Sequence, residues 1–278
     1  MPYVETNGIR TFYEIFGSGE PLALIGGSVF GRRNWAMAWD EFAKHFTVVS
    51  YDQRGYGRSD RPAERYTMDV WIDDLAGLLD ALGIDRAHIA GTSMGAMVAL
   101  AFAGKYPDRC LGVVTDCPLV KPDRMRRMMF ETWRRMAHAM GCGDAFADHL
   151  VTQAVGPDIL DTDIADRLIA NVRDMVAQMP VETVIQACLI MEELDLTKAV
   201  KKIESPVLVI ASTLDYLCPY KTAKSGAGIE YLLETLKNRE AKIYDDIGHA
   251  DLLERKDVSI PLIIDFLKRA ARPARAAA

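Results

Sequence analysis

The sequence predicts an α/β protein, in which helices cover a mostly parallel central sheet and an all-helical insertion interrupts it. Three observations lead there. Along residues 1–120, short apolar runs bounded by turn residues alternate with amphipathic helical patterns, as in a parallel sheet covered on both faces. The alternation breaks at Pro118, and residues 121–202 carry helical periodicity without a convincing strand. Strands return at residues 206–211 (PVLVIA) and 241–244. Residues 1–120 and 203–278 therefore form the core domain. Residues 121–202 form a helical cap over the edge where open α/β sheets bind ligands.

The elements follow in order. Residues 2–6 and 9–15 alternate around Asn7-Gly8, a hairpin with a tight primed turn. Residues 21–25 (PLALI) are a buried strand ending in Gly26-Gly27-Ser28, and residues 34–45, with Trp35, Trp39 and Phe42, read as one helix. A strand at 47–51 leads into the polar loop DQRGYGRSD, residues 52–60. In residues 67–82 the apolar positions Met68, Trp71, Ile72, Leu75, Leu78, Leu79 and Leu82 recur at helical spacing, and Gly83 stops the helix. Residues 88–90 read as a buried strand, 96–103 as a buried helix and 111–115 as a strand. In the cap, Met125, Met128, Met129, Thr132, Trp133, Met136 and Met140 form one stripe, with Arg124, Arg126, Arg127, Arg134 and Arg135 mostly around the other faces. Further cap helices run from Asp163 to about 178 and over 181–194; the last helix, 260–270, precedes a small-residue tail expected to fray.

Composition narrows the class. Half the residues are apolar, 26% are charged and the formal net charge is −6, which argues against nucleic acid or an anionic membrane as a general partner. No apolar run is long enough to span a bilayer, and MPYVETNGIR lacks the basic and apolar regions of a signal peptide. The five cysteines (110, 117, 142, 188, 218) form no C-x-x-C pair and read as reduced, mostly core thiols of a cytoplasmic protein. Five histidines without metal-ligand spacing give no metal signal. The partner expected is a small-molecule substrate, with a homodimer as a possible assembly.

The chemistry centres on Gly91-Thr92-Ser93-Met94-Gly95, a G-x-S-x-G between strand and helix. There a serine on a strained turn needs neighbours without side chains where strand and helix nearly touch. A serine hydroxyl needs a histidine to take its proton and an acid to orient that histidine. His249, in DIGHA beyond the last predicted strand, suits catalysis better than His45, His88, His138 or His149. The acid candidates are Asp215, four residues past PVLVIA, and Asp116, at the end of the strand before the cap. Asp215 is preferred.

The order Ser93, Asp215, His249 matches that of α/β-hydrolases, and the chain resembles that fold family over nearly its whole length. The resemblance rests on the hairpin, YDQRGYGRSDRP, GTSMG, VIASTLDYLCP and DDIGHADLLE. It implies Ser93 as nucleophile, His249 as base, Asp215 as orienting acid and Met94 as one oxyanion amide. The second amide follows a loop that usually reads His-Gly; here it reads Gly26-Gly27-Ser28, which makes Ser28 the second donor without the histidine that commonly braces the loop. Serine at position 93, where relatives resembling haloalkane dehalogenases and epoxide hydrolases carry aspartate, implies an acyl-enzyme or a serine acting as base.

The implied activity is a cofactor-free, metal-free serine hydrolase cleaving a carboxylic ester or lactone, or an amide, of a small, partly apolar metabolite. Residues 26–60 are similar to those of enol-lactone hydrolases. The alternative is hydrolysis of a C–C bond in a ring-fission product. It is weakened by Ala250-Asp251-Leu252, where such enzymes usually carry a tryptophan. An alternative of another class is a non-catalytic receptor for a small ligand on the same fold. Arg32 and Arg33 are candidates to pair with a substrate carboxylate, although solvated surface charge is the plainer explanation. Trp133 and Met129 are candidates to line the pocket from the cap.

Overall fold

The computed structural model describes residues 2–271; the tail expected to fray lies outside them. Strands β1 (Tyr3–Thr6) and β2 (Ile9–Gly17) form the hairpin, with Asn7 and Gly8 both at positive φ as a primed turn requires. Then come β3 (Glu20–Ile25), α1 (Trp39–Ala43), β4 (Phe46–Tyr51), α2 (Met68–Ala81), β5 (Ala87–Thr92), α3 (Met94–Lys105) and β6 (Cys110–Asp116). Six helices follow: α4 (Arg124–Met140), α5 (Asp144–Ala154), α6 (Pro157–Leu160), α7 (Ala165–Ala177), α8 (Val181–Glu193) and α9 (Thr197–Val200). The chain closes with β7 (Val207–Ser212), α10 (Ile229–Thr235), β8 (Arg239–Tyr244), α11 (Asp251–Glu254) and α12 (Lys256–Ala270).

The eight strands form one sheet in the order β1-β2-β4-β3-β5-β6-β7-β8. The β1–β2 and β2–β4 pairs are antiparallel and the remaining five are parallel. All six residues of β5 and of β7 are buried, because helices cover both faces and neither side of these strands meets water. One face packs under α2, α3 and the helices between β6 and β7, the other under α1 and α12. The carboxyl ends of β3, β5, β6, β7 and β8 lie along one edge, which brings loops distant in sequence together.

Two local expectations change. The helix expected at 34–45 is broken: a 3-10 turn spans Arg32–Trp35, and only Trp39–Ala43 is α-helical. The Trp35 indole donates to the Ile25 carbonyl at 2.9 Å, so the buried ring is pinned to the end of β3 and the chain turns before α1 starts. Between β6 and β7, α5 was not expected, yet Phe146, Ala147, Leu150 and Val151 bury one of its faces.

The stripe on α4 is also displaced. Its buried face is Arg126, Met129, Phe130, Trp133 and Ala137, whereas Met125, Met128 and Met140 are more than half exposed. Arg126, expected on a solvated face, is buried; it pairs with Asp123 (3.4 Å), donates to the Tyr216 carbonyl (3.0 Å) and lies over the Tyr216 ring. Asp123 also accepts from the Ala223 amide at 3.1 Å. The start of α4 is thus tied to the loop after β7.

The crossing of β5 and α3 is tight. A Cβ on Gly95 would stand 2.3 Å from the Ile25 carbonyl oxygen and 2.6 Å from that of Gly26, and one on Gly91 would stand 2.1 Å from the Gly95 carbonyl oxygen. Because these obstacles are backbone, no side-chain rotation relieves them. Gly95→Ala is expected to cost about 3 kcal/mol or more, the upper end for overpacking, read as a lower urea midpoint with an unchanged slope.

Candidate active site

Ser93 stands between β5 and α3 at φ 54°, ψ −122°, a region that costs a non-glycine residue about 1–3 kcal/mol. Its amide donates to the Asp116 carbonyl at 2.7 Å, which anchors the turn to the neighbouring strand. The turn lifts the hydroxyl above the sheet, where the His249 Nε2 lies 2.8 Å from Ser93 Oγ. On the other side of the ring, Nδ1 lies 2.7 Å from Asp215 Oδ2. The second Asp215 oxygen accepts the amides of Leu217 (2.8 Å) and Cys218 (2.9 Å), so the carboxylate is oriented by its own loop. The structure therefore brings together Ser93, His249 and Asp215 from the ends of three strands.

Electrostatics favour a histidine that accepts a proton. Burial pushes the His249 pKa down, but the charge and hydrogen bond of Asp215, helped by Asp251, outweigh it and leave the pKa above the ordinary imidazole value.

Asp116, the other acid candidate, goes elsewhere. Its Oδ2 accepts the Thr92 hydroxyl at 2.7 Å. Burial and then the charge of Asp251 push its pKa well up. Burial raises the pKa of Asp251 as well, so both buried acids are pushed toward the protonated form. Cys117 is held protonated by burial and then by Asp116 and Asp215, which makes it a poor nucleophile.

The Gly26-Gly27-Ser28 loop is braced by residues the sequence did not single out for that role. Asn34 Oδ1 accepts the Gly27 amide at 2.8 Å, and the Tyr56 hydroxyl donates to the Ser28 carbonyl at 2.9 Å. A Cβ on Gly27 would lie 3.2 Å from Ser93 Cβ, so the loop runs directly past the nucleophile. Met94 is the first residue of α3, and its amide has no acceptor within the helix. Asn34 and Tyr56 thus supply the bracing expected to be lost with the loop histidine. The polar loop that carries Tyr56 is fixed by Arg54, which holds Asp74 through two bonds of 2.8 and 2.7 Å. The pairing of Asn34 with Gly27 had no signal beyond a polar residue seven positions from a glycine loop.

A cavity of about 210 Å³ opens onto Ser93 and His249, below the ~300 Å³ at which ligand pockets usually begin. Its wall is largely apolar and is shared between core loops (Val29, Phe30) and the helices between β6 and β7 (Trp133, Leu150, Val172). Of the four side chains expected to meet substrate, Trp133 and Arg33 line the cavity and Arg32 and Met129 do not. Arg32 pairs with Glu14 (2.5 Å) and Asp52 (3.4 Å) and stacks near Phe12 and Trp39; two carboxylates have drawn its guanidinium away. Met129 is buried in the cluster that the helices between β6 and β7 share with the sheet. Arg33 makes one long hydrogen bond, to Gln178 Oε1 at 3.4 Å.

Comparison with known proteins agrees with this architecture. A family model for the alpha/beta hydrolase fold matches residues 21–140. RutD of Caulobacter sp. (strain K31), whose name gives carbamate hydrolysis as a proposed activity, is 32% identical over 84% of this chain and 85% of its own. A 2-hydroxymuconate semialdehyde hydrolase of Pseudomonas sp. (strain CF600) is 43% identical over 106 residues, 37% of this chain. The matching stretch spans only 38% of that relative's own length. Among solved structures, the enol-lactonase from Burkholderia xenovorans LB400 superposes with a TM-score of 0.85 at 26% identity, covering 96% of this chain and 100% of the other. Among the described residues no helix is long and apolar enough to cross a membrane. Likeness to RutD along most of both chains, on a sheet of this order, makes the chain a member of the alpha/beta hydrolase fold family and an enzyme of the hydrolase class.

Proposed function

We propose that the protein is a cofactor-free serine hydrolase that cleaves a carboxylic ester or lactone of a small, partly apolar molecule through an acyl-enzyme. The observation that carries this is the hydrogen-bonded series Ser93–His249–Asp215, with the serine strained and facing an apolar cavity. Ser93 Oγ attacks the acyl carbon as its proton passes to His249 Nε2. The amides of Met94 and Ser28 hold the oxyanion. The tetrahedral adduct collapses, the C–O bond breaks, and His249 returns the proton to the leaving alkoxide. A water molecule deprotonated by His249 then releases the acid and restores Ser93. The same steps accommodate an amide. The helices between β6 and β7 act as a cap that sets the acyl and leaving groups, and the small cavity favours short chains. Arg33, at the cavity wall with a single long hydrogen bond, is the group that would meet a substrate carboxylate.

A second reading, hydrolysis of a C–C bond in a dienoate, is favoured by the 43% identity with the semialdehyde hydrolase, although Ala250-Asp251-Leu252 lacks the tryptophan usual there. The test is labelling by a serine-directed fluorophosphonate, followed by a panel of esters, lactones, amides and dienoates compared by kcat/KM. One equivalent of label on Ser93 and fastest turnover of short esters or lactones are expected. A chain left unlabelled sinks nucleophilic catalysis, and dienoates turned over fastest would give the second reading precedence.

A further inference from the structure

The loop that presents His249 is short of support from its own strand. Four residues separate His249 from the end of β8, and its partners sit on two other loops. What holds its backbone comes from the end of α5 and from Glu254 at the end of α11. The His249 amide donates to the Ala154 carbonyl at 2.7 Å. One residue earlier, the Gly248 amide donates to Glu254 Oε1 at 3.1 Å, and the same oxygen accepts the Gly156 amide at 3.2 Å. The half-buried Glu254 carboxylate thus bridges the histidine loop and the cap.

Close approach of backbones permits the bridge. A Cβ on Gly248 would meet the Ala154 carbonyl oxygen at 2.6 Å and the Gly156 nitrogen at 2.7 Å; one on Gly156 would meet Glu254 Oε2 at 2.6 Å. Ala154 and Val155 of this crossing also line the cavity. A carboxylate accepting two amides makes charge-assisted bonds, roughly twice as strong as neutral ones. Bonded at the Gly248 and His249 amides, the loop fixes the His249 backbone, and so the point from which the imidazole reaches Ser93.

Resting on the roles of Ser93 and His249 proposed above, we infer that Glu254 is a positioning residue, which acts through the Gly248 and Gly156 amides to lock the histidine loop onto the cap. At this corner the end of α5 and the residues after it are fastened to the histidine loop. The side chain touches neither Ser93 nor His249 and exchanges no proton with the substrate. Its contribution is geometric, on a scale where a displacement of about 1 Å at a reacting group costs about 10²-fold in rate.

Three variants test this, with rates taken well below each variant's melting temperature. Glu254→Met keeps the side-chain length and loses the acceptor; kcat and the rate of fluorophosphonate labelling of Ser93 should both fall by about 10- to 100-fold, with KM nearly unchanged. Glu254→Gln keeps an acceptor oxygen and should recover most of that loss. Gly156→Ala, which forces a methyl against the carboxylate, should resemble Glu254→Met and gives the answer if Glu254→Met does not fold. Wild-type kcat in folded Glu254→Met, equal losses in the Met and Gln variants, or wild-type kcat in Gly156→Ala would each overturn the inference. A wild-type chain that takes no label overturns the nucleophile itself, whereas a labelled wild type beside an unimpaired Glu254→Met overturns the positioning role alone.

Discussion

Ser93→Ala is expected to lower kcat by about 10⁶-fold, the scale on which removing the nucleophile of a catalytic triad acts, and to abolish labelling by a fluorophosphonate. Substrate affinity should change little, because the cavity walls and the amides of Ser28 and Met94 remain. Stability separates this chemistry from the cost of the turn. Alanine keeps the Cβ and therefore the strain at φ 54°, so Ser93→Ala should unfold close to the wild type. Ser93→Gly loses the same hydroxyl but relieves the strain, and should unfold at a higher urea concentration, by about 1 kcal/mol. A Ser93→Ala chain that still turns over a short aryl ester would place the nucleophile elsewhere.

How far the sequence reached depends on whether a residue's partners were near or far in the chain. Strands were legible because burial on both faces demands unbroken apolar runs, as in PVLVIA, and the structure buries every residue of β7. The elbow was legible because its glycines answer to local contacts, Gly91 against Gly95 and Gly95 against the end of β3. Ser93, Asp215 and His249 could be ordered because each follows a recognisable strand. Partners set by tertiary packing were not legible. Arg126 looks like one more solvated arginine until Tyr216 meets it from a loop 90 positions away. Arg32 looks free until Glu14 and Asp52 take it. The α4 stripe was misplaced because methionines occupy more than one side of that helix, and the bulky Phe130 and Trp133 decide which side is buried. The signal for α5 was present in Phe146, Ala147, Leu150 and Val151, a helical i, i+1, i+4, i+5 face.

The acid is the step where sequence left two choices, and the geometry turns it into a measurable difference. His249 must be neutral to take the serine proton, so kcat/KM should be lost as pH falls through its pKa. That pKa is raised in the folded protein, and the acid limb should therefore lie above the ordinary imidazole value of about 6.5. Asp215→Asn removes the charge that opposes burial while leaving an oxygen near the ring. Maximal kcat should fall by about 10⁴-fold, as when the orienting acid of a triad becomes an amide and the ring is held in the wrong tautomer. With less to counter burial, the residual activity should titrate at lower pH than the wild type. Asp116→Asn should behave differently. Its hydrogen bond runs to Thr92, the charge of Asp251 acts on it through the buried interior, and the Asp215–His249 bond is left intact. It should keep most of kcat and the acid limb in place, while losing stability through the disturbed buried pair. An inactive Asp116→Asn beside an active Asp215→Asn would move the orienting acid from the end of β7 to the end of β6, and the loop amides of Leu217 and Cys218 would then serve only to hold Asp215 in the fold.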